Sequence, residues 1–174
     1  MAANTYTLIS SNVLSSSAAS VTFSSIPATY TDLVLRISAR SDRTVSVTQP
    51  IRLSVNGTGG TSYSWTELTG NGTAAASARV ASTSYIEQAY ATAGGATTNT
   101  FGSAEIYIPS YLASQNKPIS GFSNSENNAA DASISTVAGL FSSTAAITSI
   151  ALAQSSTFQW ITGSSFYLYG IKNS

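Results

Sequence analysis

Hydrophobic and polar residues alternate along much of the chain. In YTDLVLRISARSD, the side chains of Leu33, Leu35 and Ile37 fall on one side of an extended backbone, and the residues between them fall on the other. IRLSVNGTGG repeats this alternation over residues 51–55 and continues with Asn-Gly, a pair that tolerates positive φ in a turn. A period of two residues is typical of a half-buried strand, so both segments are predicted to be β-strands.

Other segments of the chain have strand composition as well. They are separated by short spacers rich in Gly, Asn, Ser and Pro, an arrangement typical of an all-β sandwich or barrel. The Ala-rich stretches NGTAAASARVAS and SSTAAITS lack an apolar stripe at helical spacing, so at most one short helical turn is expected, around IPSYLASQ. We therefore predict an antiparallel β-sandwich of about eight to ten strands with little helix. The further strand segments are TYTLIS, SVTFSSI, TSYSWTELTG, ARVASTSYIEQAY, SAEIYIP, KPISGFS, ITSIALAQ and SSFYLYGI.

The last strand segment, SSFYLYGI, carries apolar residues on both sides. One side is expected to pack on the opposing sheet and the other against a covering loop or a second subunit. Leu168 and Tyr169 should therefore lie in a strand that is buried on at least one face. ITSIALAQ is predicted to pair with this strand as a hairpin, and YTDLVLRIS is predicted to be its other neighbour.

Composition limits the class of protein. The chain has 174 residues, of which 43% are hydrophobic and 8% charged, and no composition shift marks a linker, so we predict a single folded domain over residues 1–174. Seven basic and seven acidic residues cancel, which leaves no field to attract nucleic acid or an anionic membrane. The N-terminal MAANTYTLISSN lacks the features of a signal peptide, so synthesis in the cytoplasm is expected.

Residue types also limit the chemistry. The sequence contains neither histidine nor cysteine, which rules out Ser-His-Asp and Cys-His catalysis and leaves only carboxylates, as in a glycosidase. Their spacing does not select a pair. We therefore predict no enzyme activity, and no catalytic, cofactor-binding or metal-binding residue set. The acidic residues are Asp32, Asp42, Glu67, Glu87, Glu105, Glu126 and Asp131.

Two of these carboxylates allow a functional alternative. Glu105 shares a strand face with Tyr107, so it is either part of a sugar-binding surface or a solvent-facing charge, and the second interpretation is favoured. Glu126 and Asp131 lie in one polar stretch that could supply oxygen ligands to Ca²⁺, but the spacing does not match an EF-hand and a turn is favoured.

Basic and aromatic residues leave further alternatives open. Four arginines are expected to pair locally with Asp32 and Asp42, or to dock an acidic surface of a neighbouring subunit. Five aromatic residues could form a sugar-stacking platform, although core packing is favoured. Asn56 and Asn71 fit the glycosylation sequon but are interpreted as Asn-Gly turns. The arginines are Arg36, Arg40, Arg43 and Arg52, and the aromatic residues are Trp65, Trp160, Tyr63, Tyr85 and Tyr90.

Four segments carry a resemblance that runs in the same order over nearly the whole chain. They are FSSIPATYTDLVLRISAR, LSVNG, AEIYIPSYLASQNKPIS and AAITSIALAQSSTFQWITGSSFYLYGIK. Together they resemble small virion proteins of tailed bacteriophages, notably those of marine cyanobacteria and other marine bacteria. The most specific parts are Ile26-Pro27 with Tyr30-Thr31-Asp32-Leu33, Tyr107-Ile108-Pro109 with Lys117, and Leu168-Tyr169-Gly170-Ile171.

The resemblance implies a jelly-roll sandwich and a non-enzymatic structural role in the virion. A capsid decoration or cement protein on the head surface is the first expectation, because the chain has no fibrous stem, coiled-coil heptads or separate attachment module. A glycan-binding domain of a tail or head fibre is the alternative. The expected partners are the chain itself, as a homotrimer, and the major capsid protein or other virion proteins, with a host cell-surface glycan in the alternative case.

Overall fold

The computed structural model describes residues 5–129, 132–155 and 157–172, and these residues form strands, turns and loops without any helix. The strands are β1 (Tyr6–Val13), β2 (Ser20–Phe23), β3 (Asp32–Ala39), β4 (Thr48–Val55), β5 (Tyr63–Gly70), β6 (Ala75–Thr83), β7 (Ile86–Thr92), β8 (Gly102–Ile108), β9 (Lys117–Ser125), β10 (Ser133–Phe141), β11 (Ile150–Ala153) and β12 (Ser165–Ile171).

The strands form two antiparallel sheets that pack face to face. The large sheet has eight strands in the order β1-β12-β3-β8-β9-β10-β5-β6, and the small sheet has four in the order β2-β11-β4-β7. Inward side chains of both sheets form one core, which includes Leu35 and Ile106 from the large sheet and Leu53 and Leu152 from the small one. The predicted antiparallel β-sandwich is confirmed.

The described strands number twelve, more than the eight to ten expected. Strand β10 was not predicted, because its inward positions include small residues such as Ser135 that conceal the alternation. The segment ARVASTSYIEQAY is divided between β6 and β7, which lie in different sheets, and Ser82 just before the break has a φ of 57°. The Ala-rich stretch NGTAAASARVAS overlaps the start of this segment and forms most of β6. IPSYLASQ, the segment expected to hold a helical turn, forms a turn around Ser110.

Only one of the two predicted neighbours of β12 is correct. Strand β12 pairs with β3, as expected, but its other neighbour is β1. Strand β11 lies in the small sheet between β2 and β4, so the predicted hairpin between β11 and β12 is wrong. The connection between β11 and β12 crosses from one sheet to the other. Both strands therefore direct side chains such as Leu152 and Leu168 into the same core from opposite sides.

Both faces of β12 are covered to different degrees. Phe166 and Leu168 point inward and are fully buried, whereas Tyr167 and Tyr169 point outward and are half-buried. At Gly170, the ring of Tyr30 lies so close that an added Cβ would be 2.3 Å from its Cγ. This position therefore requires glycine for its lack of a side chain, not for backbone freedom.

Replacing Gly170 with alanine is expected to destabilise the fold by about 1 to 3 kcal/mol, because the Tyr30 ring has to leave its packed position. The matched control is Gly59→Ala, where an added Cβ meets nothing within 4 Å. Thermal unfolding of both variants checks the prediction. Equal melting temperatures for the two variants would show that the Tyr30 ring moves aside freely.

Two buried cations hold loops in place. Arg40 donates hydrogen bonds to the backbone carbonyls of Ala96 and Thr97 at 2.9 and 2.8 Å, and also to those of Gly94 and Thr100. The ammonium group of Lys117 donates to the carbonyls of Ala113, Gln115 and Ser143. Burial lowers the pKa of both groups. Neither role was predicted, because a sequence does not show that a cation is solvated by carbonyls of distant loops.

The two Asn-Gly turns are present. Asn56 and Gly57 have φ values of 55° and 62°, and the N–H of Thr58 donates to the carbonyl of Val55 at 2.9 Å. The side chain of Asn71 accepts hydrogen bonds from the N–H groups of Thr73 and Ala74. The turn after β4 leads into the opposite sheet instead of closing a hairpin.

Candidate interaction surface

The exposed apolar side chains concentrate on one surface, the side of the large sheet that faces away from the small sheet. We call this side the outer face. Among the described residues, six of the seven exposed large apolar side chains lie there, and only Val45 lies elsewhere. Strand register places them, since residues paired across neighbouring strands point to the same side of a sheet. The six side chains are Tyr6, Leu8, Val13, Leu68, Phe122 and Ile134.

These side chains form two groups on opposite halves of the outer face. The β1 group consists of Tyr6, Leu8 and Val13 on the edge strand, together with Tyr169 of β12. Tyr169 is paired with Leu8, and its ring lies 6.5 Å from that of Tyr6. The β10 group consists of Leu68 on β5, Phe122 on β9 and Ile134 on β10, and it surrounds a hollow of about 240 Å³. An exposed apolar surface of this kind is a candidate for a contact with another molecule.

In the part of the chain that the structure describes, one ion pair lies between the two groups. Arg36 on β3 is directly opposite Glu105 on β8, and their side chains approach to 2.6 Å. Both remain well exposed, at 58% and 39%. A second hollow, of about 270 Å³, lies between this pair and Phe122. The expected solvent-facing position of Glu105, on the same face as Tyr107, is confirmed, and its partner is Arg36.

A separate cleft of about 300 Å³ opens beside the small sheet, where β5 and β6 extend beyond it. Tyr90 and Thr69 are among its lining residues. The Tyr90 hydroxyl donates to the Glu67 carboxylate at 3.2 Å. Burial raises the pKa of Glu67, the Tyr90 hydrogen bond opposes this shift, and the charge of Glu87 adds to it. Glu87 itself is paired with Arg52 at 3.0 Å.

The alternative interpretation of five aromatic residues as a sugar-stacking platform is wrong. Trp65, Trp160 and Tyr63 are buried in the core, as the favoured interpretation expected. Tyr85 lies against the guanidinium of Arg52, 4.2 Å from its carbon, and Tyr90 binds Glu67. A sugar ring therefore has no flat set of these five aromatic side chains to stack on.

The predicted pairing of the arginines with Asp32 and Asp42 is wrong. Arg36 and Arg52 pair with glutamates on neighbouring strands, Arg40 binds carbonyls, and Arg43 donates to Gln49. The two aspartates instead accept hydrogen bonds within the fold. Asp32 receives the Tyr107 hydroxyl and the Ser110 N–H, while Asp42 receives the Gln159 N–H.

The alternative Ca²⁺ site can be assessed only in part. Glu126 accepts the N–H groups of Asn127 and Asn128, which is the turn geometry that was favoured. Asp131 lies outside the described residues. Within the described ranges, no group of three or more potential ligand side chains is close enough to hold a metal ion.

The β10 group was not recognised in the sequence. The signal was present in KPISGFS, where Phe122 alternates with small residues, but only strand pairing shows that Leu68 and Ile134 lie beside it.

Comparisons with protein families, with curated proteins and with solved structures find no match. In the described part of the chain, no helix could cross a membrane.

Proposed function

We propose that this chain is a non-enzymatic structural protein of a bacteriophage virion that acts by binding other protein subunits. The observation that carries the proposal is the outer face, with six exposed large apolar side chains on one sheet surface. Such a surface is costly to leave in water and is typical of proteins that assemble. The virion assignment rests on the resemblance of the four sequence segments to small virion proteins of tailed phages.

A jelly-roll fold is part of this proposal, and the strand order supports it. The first four strands of the large sheet, β1-β12-β3-β8, face the order β2-β11-β4-β7 in the small sheet. Two facing four-stranded sheets with these strand orders are the arrangement that the two Greek keys of a jelly roll produce. The pairs β5–β6 and β9–β10 then extend the large sheet as insertions.

The proposed position is the head surface, as a decoration or cement protein bound to the major capsid protein. The receptor-binding alternative requires aromatic side chains that a glycan can reach. The burial of Trp65, Trp160 and Tyr63 weighs against a site built from those three, and Tyr6 and Phe122 on the outer face are the aromatic side chains that stay exposed. Equal numbers of acidic and basic residues also suit a protein that contacts other subunits instead of packaged nucleic acid.

Copy number in purified virions tests the proposal. A decoration protein should approach the abundance of the major capsid protein, whereas a fibre tip should be present at a small fraction of it. Quantitative mass spectrometry against the major capsid protein makes this measurement. Low abundance would favour the fibre alternative, and absence from virions would contradict a virion role altogether.

A further inference from the structure

The outer face is large enough for a stable protein interface. Eight strands spaced about 4.8 Å apart span about 34 Å, and at about 3.3 Å per residue the strands are about 25 Å long. The face therefore offers about 850 Å² per copy, and stable complexes bury about 800 Å² on each partner. A second copy of this chain offers the same area by definition.

Two charges near the middle of the outer face are complementary to each other, whereas the exposed Arg79 lies at its far edge on β6. Arg36 and Glu105 lie side by side on adjacent strands. Consider a two-fold axis that lies between the two packed faces, parallel to the strands and midway between β3 and β8. This axis places Arg36 of each copy opposite Glu105 of the other. An axis across the strands at the same place would set Arg36 against Arg36, which is repulsive. The charges therefore select one of the two arrangements.

The same axis also matches the apolar groups. It places β1 of one copy over β10 of the other, because the two strands lie equally far from the axis on opposite sides. Because this axis keeps each residue at its level along the strand, Val13 of one copy comes opposite Ile134 of the other, and Leu8 comes opposite Ala138. The hollow lined by Leu68, Phe122 and Ile134 is then open to side chains of the partner's β1 group. An interface related by a two-fold axis has this isologous character, in which each contact occurs twice.

We infer that two copies of this chain pack outer face to outer face around this axis. This inference rests on the proposed function only in taking the outer face as a protein-binding surface. Strand β1 of each copy contacts β10 of the partner, with Val13 facing Ile134, and two crossed pairs of Arg36 and Glu105 lie at the centre. The partner covers six of the eight strands, about 600 Å² per copy, which is at the lower end of the range for specific interfaces, and β5 and β6 extend beyond its edge.

Charge reversal at the centre tests the arrangement. The variants Arg36→Glu and Glu105→Arg each place like charges across the axis, so each is expected to self-associate about tenfold more weakly or worse. Mixing the two variants in equal amounts should restore association, because the two central glutamates of one variant then face the two central arginines of the other. Light scattering after size exclusion, at micromolar concentration, should give the mass of two chains for the wild type and for the mixture.

Each variant has lost the ion pair between residues 36 and 105 within its own chain, and mixing does not restore that pair. Rescue by mixing would therefore show that the weaker association comes from charges across the interface. Phe122→Asp should also weaken association, while Val45→Asp, which places the same charge on an exposed apolar residue away from the outer face, should not. Circular dichroism confirms that each variant is folded.

A wild-type mass of one or three chains would overturn the inference, as would a mixture that stays monomeric. These outcomes are separate from a failure of the proposed function. A monomer that still binds capsids would leave the virion role intact, and a dimer that is absent from virions would refute that role alone.

Discussion

Replacing Arg40 with methionine is expected to destabilise the protein by about 3 to 5 kcal/mol, because a buried polar group that loses its partner costs about 1 to 3 kcal/mol and Arg40 binds one buried and three partly buried carbonyls. The Arg40 side chain is 5% exposed and binds four carbonyls of residues 94–100, the connection between β7 and β8. Methionine fills a similar volume but donates no hydrogen bond. Urea unfolding measures the change in the free energy of unfolding.

Arg40→Lys is the matched variant, since it keeps the charge but has one donor group instead of a planar fork. We expect an intermediate loss. Hydrogen exchange over residues 94–100 should increase in both variants before global unfolding, since the loop loses the group that organises it. Protection of this loop that is unchanged in Arg40→Met would contradict the role assigned to the guanidinium.

Replacing Leu168 with alanine is the second large effect, with an expected cost of about 2 to 5 kcal/mol. Leu168 is 0% exposed and lies in β12 between β1 and β3, so the surrounding strands cannot collapse easily into the space it leaves. This is a large part of the roughly 5 to 15 kcal/mol that stabilise a typical domain. A large fall in melting temperature should result.

Val45→Ala is the control for Leu168→Ala, because Val45 is 82% exposed and its truncation should change stability by no more than about 0.5 kcal/mol. Thermal unfolding of both variants under the same conditions gives the comparison. A fall of similar size in both would show that the loss does not come from core packing.

Local pattern was enough to predict the class of the fold. The alternation of Leu33, Leu35 and Ile37, and of Ile51, Leu53 and Val55, predicts half-buried strands because successive side chains in a strand point to opposite sides. The same rule placed Glu105 and Tyr107 together on one face. These are properties of neighbouring residues, which a sequence shows directly.

Pairing between strands was decided by the tertiary structure. Both β3 and β11 have the composition of strands, but nothing in it shows that β3 is a neighbour of β12 and that β11 lies across the core from it. The outer face depends on the same information. Phe122, Ile134 and Leu68 are far apart in sequence and meet only because β9, β10 and β5 are adjacent.

The buried cations also separate what the sequence determines from what the tertiary structure decides. The sequence by itself determined a histidine-free, cysteine-free, near-neutral chain with the alternation of an all-β fold. It did not determine that Arg40 and Lys117 are solvated by loop carbonyls, or that Arg36 pairs with Glu105 instead of Asp32. A charged side chain pairs with whatever group the register of distant strands brings near it. Only the assembled sheets decide which group that is.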